Sequence, residues 1–402
     1  MRRRRKPARK SCLLGVILLV VGLSLGCFLS ITSRRFFFIE PPFYAADSLH
    51  YSHPLPRLLF MTASYTPNQL SSLQKTLDCM RDHCNAGWNV TVVIQVAWGE
   101  EGVARRLEEF RDRLHCTATD QSIPLIIQPY GKIGFGLNSR HRLYLRSHLD
   151  EFDYVSFAEE DMQLTVSLFS AYRKGEEQLK RLFPRTWKRY TVGFLRWEDS
   201  VADGERVTWE YFPDKIHAVD LYNASPVART AGWVSHRSSP LEGIYLVTNN
   251  LNQAIYVMSR EQILDLQQRC GFLTDIGQNE FFREMRRAMD KEWKYLSAGV
   301  SEWSSSYQQV LQCGVRRVIP AEHLQNFMIH HAENKAQKRR LRTELLSARD
   351  WMRIAIEKSQ SPISIDEAYD DIIFHQYNLH LVDRDAFAGK SKWTWGVESE
   401  FA

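Results

Sequence analysis

The sequence predicts an α/β fold, a mostly parallel sheet flanked by helices and preceded by a single transmembrane helix. Three observations predict it. Apolar runs of strand character alternate with amphipathic helical stripes between Arg57 and Met162. One uncharged N-terminal stretch is long enough to span a bilayer. The fourth strand-like run, Tyr154 to Ala158, leads straight into three consecutive carboxylates, Glu159, Glu160 and Asp161.

The N-terminus comes first. Residues 1–10 carry seven basic side chains, and Cys12 to Thr32 follows as twenty-one uncharged, mostly apolar residues closed by Arg34 and Arg35. At about 1.5 Å per residue that length crosses a membrane. It exceeds the apolar region of a cleavable signal peptide, and the charge bias puts the N-terminus in the cytosol and the rest in a lumen. The net charge of +5 divides accordingly. Up to Arg35 there are nine basic and no acidic residues, which leaves 43 basic against 47 acidic, a net of −4. A mildly acidic remainder argues against a nucleic-acid partner. Of seven cysteines, Cys79, Cys84, Cys116, Cys270 and Cys313 fall on the luminal side, an odd number, so at least one stays free or pairs between chains. Asn89-Val-Thr91 and Asn223-Ala-Ser225 are glycosylation sequons that fit a secretory route.

Residues 34–56, with prolines at 41, 42, 54 and 56, form a stem. Leu58–Ala63 is the first strand, and Leu70, Leu73, Leu77 and Met80 mark one face of the helix after it. Val90–Ala97 is the second strand, followed by a stripe at Val103, Leu107, Phe110 and Leu114. Ile123–Gln128 is the third, and a helix with Leu137, Tyr144, Leu145 and Leu149 inward leads to the fourth. Such alternation specifies a parallel sheet with right-handed crossovers. Beyond Asp161 the pattern turns irregular. Tyr190–Trp197, Gln253–Met258 and Val315–Pro320 have strand character, and Ser259 to Gln262 fits a capping box. Trp187, Trp197, Trp209, Tyr211, Tyr222 and Trp233 either stack on sugar rings or fill a core beneath long loops. Phe327–Ile329 runs into His330 and His331. The basic stretch 335–342 is a solvated helix face, and residues 336–402 look like an appendage.

Three carboxylates at a strand end repel one another unless protons or a cation share the site, and hard oxygen ligands suit Mg²⁺, Mn²⁺ or Ca²⁺. An isolated acidic triplet also fits a solvated turn. The turn Gly131 to Gly136 precedes Asn138, Arg140, His141 and Arg142, donors placed either for a nucleotide diphosphate or as an ordinary basic helix face.

Taken together, the basic tail, anchor, stem and acidic strand end resemble Golgi type II membrane glycosyltransferases of the GT-A fold, a Rossmann-like architecture. In that family the strand ends in D-x-D or a variant that holds a divalent cation on the nucleotide-sugar diphosphate. Glu159-Glu160-Asp161 is similar to the E-D-D of N-acetylglucosaminyltransferase I-like enzymes and departs from strict D-x-D at its first position. The resemblance implies that Asp161 is a direct metal ligand, with His330 or His331 as a further one. Glu159, Glu160, Asn138 and Arg140 would contact the nucleotide sugar, a UDP-sugar favoured, and the cofactor would be Mn²⁺ or Mg²⁺. An inverting member needs a carboxylate base on the acceptor side, for which Asp275 and Glu280 are candidates; helix-start carboxylates are their ordinary explanation.

The expected organisation is a cytosolic tail at 1–11, an anchor at 12–33, a stem at 34–56, a catalytic domain at 57–335 and the C-terminal appendage. The catalytic domain divides into a nucleotide-sugar half, 57–162, and an acceptor half, 163–335. The expected function is transfer of a sugar to a glycan or glycoprotein in the Golgi or endoplasmic reticulum. A silent luminal binding protein of the same fold competes with it. A hydrolase with paired carboxylates fits less well, because neighbours on a strand project to opposite faces. The topology predicts that protease added outside sealed microsomes removes only the N-terminal tail; digestion of the main domain there would reverse the orientation.

Overall fold

A computed structural model describes residues 56–65, 70–97, 110–111, 113–130, 134–199, 206–210, 215–248, 254–275, 303–332 and 344–377. All of these belong to the compact unit Pro54–Ala402. The expected anchor at 12–33 lies outside the described residues, as do Glu280 and the basic stretch 335–342. Among the described residues no helix is long and apolar enough to cross a membrane.

The first half forms a mixed α/β layer. Strands β1 (Arg57–Ser64) and β2 (Asn89–Val96) flank helix α1 (Leu70–Asn85) in sequence. After a short pair, β3 (His115–Cys116) and β4 (Gln121–Ser122), come β5 (Leu125–Pro129), helix α2 (His141–His148) and β6 (Tyr154–Glu159). β1 is parallel to β2 and β6, and β2 to β5. Every residue of β1 after Arg57 is buried, as a central strand covered on both faces requires. Leu73, Leu77 and Met80 of α1 and Leu137, Tyr144, Leu145 and Leu149 around α2 are buried against this layer.

β7 (Met162–Gln163) is followed by α3 (Val166–Leu182), a helix hidden in the irregular stretch. Thr165 caps it by accepting from Leu168 N–H at 3.3 Å, and Leu168, Phe169, Tyr172, Gly175, Glu176, Leu179 and Leu182 form its buried face. That stripe has helical spacing, but a glycine and a glutamate interrupt its apolar character. Both are explained by packing. A Cβ on Gly175 would sit 2.8 Å from Val192 Cγ2, so the glycine lets the helix lie close on its neighbouring strand. Buried Glu176 accepts from Tyr154 Oη at 2.9 Å and pairs with Lys180 Nζ at 3.2 Å.

The run Tyr190–Trp197 is two strands, not one. β8 (Tyr190–Val192) and β9 (Leu195–Asp199) part at Gly193 and join different sheets. β10 (Arg206–Glu210), β11 (His217–Asp220), β12 (Ile244–Val247) and β13 (Ile255–Ser259) follow, the last antiparallel to β6 at the edge of the first sheet. Helix α4 (Arg260–Cys270) carries the expected capping box between Ser259 and Gln262. After β14 (Arg316–Pro320), β15 (Met328–His331) and β16 (Glu344–Ser347) come α5 (Ala348–Ser359) and α6 (Ile365–Tyr377). The three larger sheets run β13-β6-β1-β2-β5, β16-β10-β9-β15-β7 and β11-β12-β14-β8. Cys84–Cys116 and Cys270–Cys313 are disulfides and Cys79 is a thiol.

Residues 344–377 are not an appendage. β16 pairs with β10, Trp351 of α5 is fully buried and its Nε1–H donates to Thr208 Oγ1, and Tyr369 Oη of α6 donates to Arg317 O at 2.7 Å. The sequence hides this because each partner lies far upstream. Trp351→Ala removes a buried ring and its hydrogen bond, and is expected to lower the unfolding free energy by about 3–5 kcal/mol in chemical denaturation. An unchanged midpoint would detach this segment from the core.

Candidate functional site

Two sheets converge on the acidic turn. β6 ends at Glu159, and the chain turns through Glu160 and Asp161 into β7. In an open parallel sheet this C-terminal end is where ligands bind. From α1, Thr76 Oγ1 donates to Glu160 O at 2.9 Å, with Met162 O at 3.3 Å, which braces the turn. β7 pairs antiparallel with β15, Met162 opposite His331 and Gln163 opposite His330. Ala332 N–H donates to Asp161 O at 2.8 Å and extends that pairing to the turn. On its other edge β15 runs parallel to β9 with His330 beside Trp197. Successive side chains alternate, so the next residues, His331 and Glu198, lie on the opposite face.

That alternation separates the two histidines. His331 Nε2 is 3.0 Å from Asp161 Oδ2, and its Nδ1 is 2.7 Å from Glu198 Oε1. All three side chains are only 1% exposed. His330 is engaged elsewhere. Its ring stacks on Trp197 with centroids 4.1 Å apart, and its Nδ1 lies 3.1 Å from Gln163 Oε1. Burial pulls the pKa of His331 down, but hydrogen bonds to Asp161 and Glu198 outweigh it, so the value is raised above the ordinary 6.5 even though Arg196 opposes them. An imidazolium between two carboxylates can donate a hydrogen bond to each and offsets one of the two charges, and a cation at Nε2 would take the place of one proton.

The other expected residues fall as follows. Glu160 is buried beside Asp161, whereas Glu159 is partly exposed and its N–H donates to Ala254 O at 2.9 Å. Ala254 holds a left-handed φ of 52°, a conformation unfavourable for a residue with a Cβ, at the point where β13 meets the acidic strand. Asn138 is fully buried and its carbonyl accepts from His141 Nδ1, so its backbone serves local structure. Arg140 and Asp275, expected in different roles, form an ion pair at 3.6 Å. Glu280 lies outside the described residues. Of the aromatic cluster, Trp187, Trp197 and Tyr222 are buried core and Trp233 is half-buried. Glu198 and Thr76 were not singled out from the sequence. Glu198 had one available signal, the acidic pair Glu198-Asp199 directly after Trp197 in a strand-like run.

Among the described residues no group of three or more His, Cys, Asp or Glu side chains is arranged to hold a metal ion. Asp161 and His331 do offer two ligand atoms 3.0 Å apart. That spacing fits neighbouring positions of an octahedron with bonds of about 2.1 Å, and Mg²⁺-like ions commonly take one or two carboxylates and complete their shell with phosphate and water.

Neither a protein family nor a curated protein matches the sequence. Among solved structures, the chain is similar to the crystal structure of S. aureus TarS 1–349, with a TM-score of 0.32 and 9% identity over 86% of this chain and 76% of that one. A crystal structure of S. aureus TarS gives a TM-score of 0.31 and 9% identity, covering 86% of this chain and 46% of that one. TarS is a glycosyltransferase. A likeness of this size leaves function to be argued from the site.

The raised pKa of His331 has a definite sign. In the cation-free protein, its stabilising contribution is fully present below the unfolded value near 6.5 and is lost as pH rises through the folded value. A histidine NMR titration is expected to place His331 above 6.5, and Glu198→Gln, which removes one flanking charge, to lower it. A parent value at or below 6.5 would contradict the arrangement.

Proposed function

We propose that the protein is a metal-dependent glycosyltransferase, moving a sugar from a nucleotide-sugar donor, a UDP-sugar favoured, to a glycan or glycoprotein in the secretory pathway. The carrying observation is the contact of Asp161 with His331 at the C-terminal end of a parallel strand. A sugar leaves with a diphosphate whose negative charge grows in the transition state. A divalent cation on the diphosphate supplies Lewis-acid compensation for that charge. Asp161 and His331 would hold it, and the imidazole nitrogen turns the choice between Mn²⁺ and Mg²⁺ toward the softer Mn²⁺. The membrane anchor expected at 12–33 would set this domain in the lumen of the Golgi or endoplasmic reticulum.

The chain's own residues have two tasks. Asp161 and Glu160 give a buried, negatively charged floor on which an anionic diphosphate is unwelcome without a cation, which makes donor binding conditional on the metal. Thr76 and the β7–β15 pairing hold that floor in place. Asp161 and His331 are both enclosed. Enclosure also strengthens each electrostatic contact inside.

Calorimetry of UDP binding in Mn²⁺ tests the reading. Asp161→Asn keeps the shape and removes a charge, and is expected to weaken Mn²⁺-dependent UDP binding by more than the about 10–100-fold typical of losing an outer-shell partner. His331→Gln should weaken it severely and His330→Gln mildly, because His330 faces Trp197. Retention of full metal-dependent binding by Asp161→Asn would remove the site.

A further inference from the structure

We propose that Asn89 carries an N-linked glycan and that Asn223, the asparagine of the other sequon, does not. The inference rests on the luminal placement in the reading above and names the site that this placement opens to modification.

A sequon is used through its asparagine amide together with the hydroxyl two residues on, so both must be presented on one side of the chain. The first residues of β2 do this. Alternate residues of a strand share a face, and on that face Asn89 is exposed and Thr91 half-buried. The chain enters β2 through a turn at Gly87, whose φ of 94° lies in the left-handed region that favours glycine. Asn89 therefore stands at the N-terminal end of the parallel strands, whereas the acidic turn follows the C-terminal end of β6. A glycan on Asn89 leaves the candidate site clear. The disulfides Cys84–Cys116 and Cys270–Cys313 fit the oxidising compartment in which such a glycan is added.

The groups of the second sequon are engaged in the fold. Asn223 lies in a helical turn, Leu221–Ala224, where its Nδ2 donates to Asp220 Oδ2 at 2.8 Å, and Arg237 Nη2 holds the same carboxylate oxygen at 2.6 Å. Ser225 is fully buried, and its Oγ donates to Leu182 O at 2.6 Å and accepts from Ala228 N–H at 3.1 Å. The one proton of that hydroxyl is thus committed to a carbonyl of α3. Ser225 caps the short helix Pro226–Thr230. Pro226 also confines the residue before it to extended backbone, in the unfolded chain as well as the folded one.

The modification is transfer of an oligosaccharide from a lipid pyrophosphate carrier. The bond from the anomeric carbon to the carrier phosphate breaks and one from that carbon to Asn89 Nδ2 forms, while the lipid pyrophosphate leaves and the amide gives up one proton.

The test expresses the full-length chain in cultured eukaryotic cells and removes N-linked glycans with an amidase in heavy-oxygen water, which leaves a labelled aspartate wherever an asparagine was glycosylated. Peptide mapping of the parent is expected to find the label at the position of Asn89 and an unlabelled Asn223. On gels, the amidase should shift the mobility of the parent and of Asn223→Gln by a single step, and that of Asn89→Gln and Thr91→Val not at all. The peptide map needs no variant to fold. An unmodified Asn89 in a chain whose main domain is protected inside sealed microsomes overturns the proposal and leaves the luminal placement standing. A glycan on Asn223 overturns it equally. Digestion of the main domain by protease outside the microsomes overturns the placement and this inference together.

Discussion

An ionised carboxylate withdrawn from water must be met by positive charge or be protonated, and Asp161 imposes that constraint on this chain. The idealised cost of moving such an ion into an apolar interior is on the order of 20 kcal/mol, and several kcal/mol remain after relaxation. Asp161 and its neighbour Glu160 are both enclosed at the end of β6. His331 supplies the compensating group, and its other ring nitrogen contacts Glu198. The contacts of one histidine with two carboxylates therefore fix the relative position of three chain segments, two of which, Glu198 and His331, are 133 residues apart.

Much of the second half can be understood as the scaffold for that meeting. β15 lies between β7 and β9, so a single strand takes its register from the acidic turn on one edge and from Glu198 on the other. β10 and β16 continue the same sheet, and α5 closes it through Trp351 and Thr208. A shift of β15 by one residue would exchange His331 for His330 and leave Asp161 facing the wrong side chain. The stack of His330 on Trp197 opposes that slip, because it occupies the other face in the present register only. The paired histidines thus have separate jobs, one electrostatic and one of packing.

This division shows how far the sequence could be read. The parallel core was legible because β1, β2 and β6 are covered on both faces and so appear as continuous apolar runs. Asp161 was legible because charge at the end of such a run is conspicuous. Between His330 and His331 nothing local decides, since the answer depends on register with strands elsewhere in the chain. Glu198 was missed for the same reason: its partner is set by a parallel pairing formed only in the folded sheet. α3 was missed because Gly175 and Glu176 stand in its buried face, the first for close approach to Val192 and the second to receive Tyr154 and Lys180. Residues 344–377 were taken for an appendage because a lone Trp351 gives no sign of Thr208, 143 residues earlier.

A purely structural role for the trio meets a physical difficulty. Buried ion pairs and triads add little stability compared with apolar side chains of the same volume, and replacing them is often neutral or favourable. Met162, Leu164 and Ile329, near the trio in sequence, are all enclosed, so an apolar trio would be the simpler way to join these strands. What apolar residues cannot do is exchange a proton for a metal ion at an unchanged ligand spacing. Under the proposed function, the contact of Nε2 with Oδ2 would hold the proton when no cation is bound and the cation when the ring is neutral. On this account the trio keeps the acidic turn folded before the metal arrives and gives it a prepared place when it does.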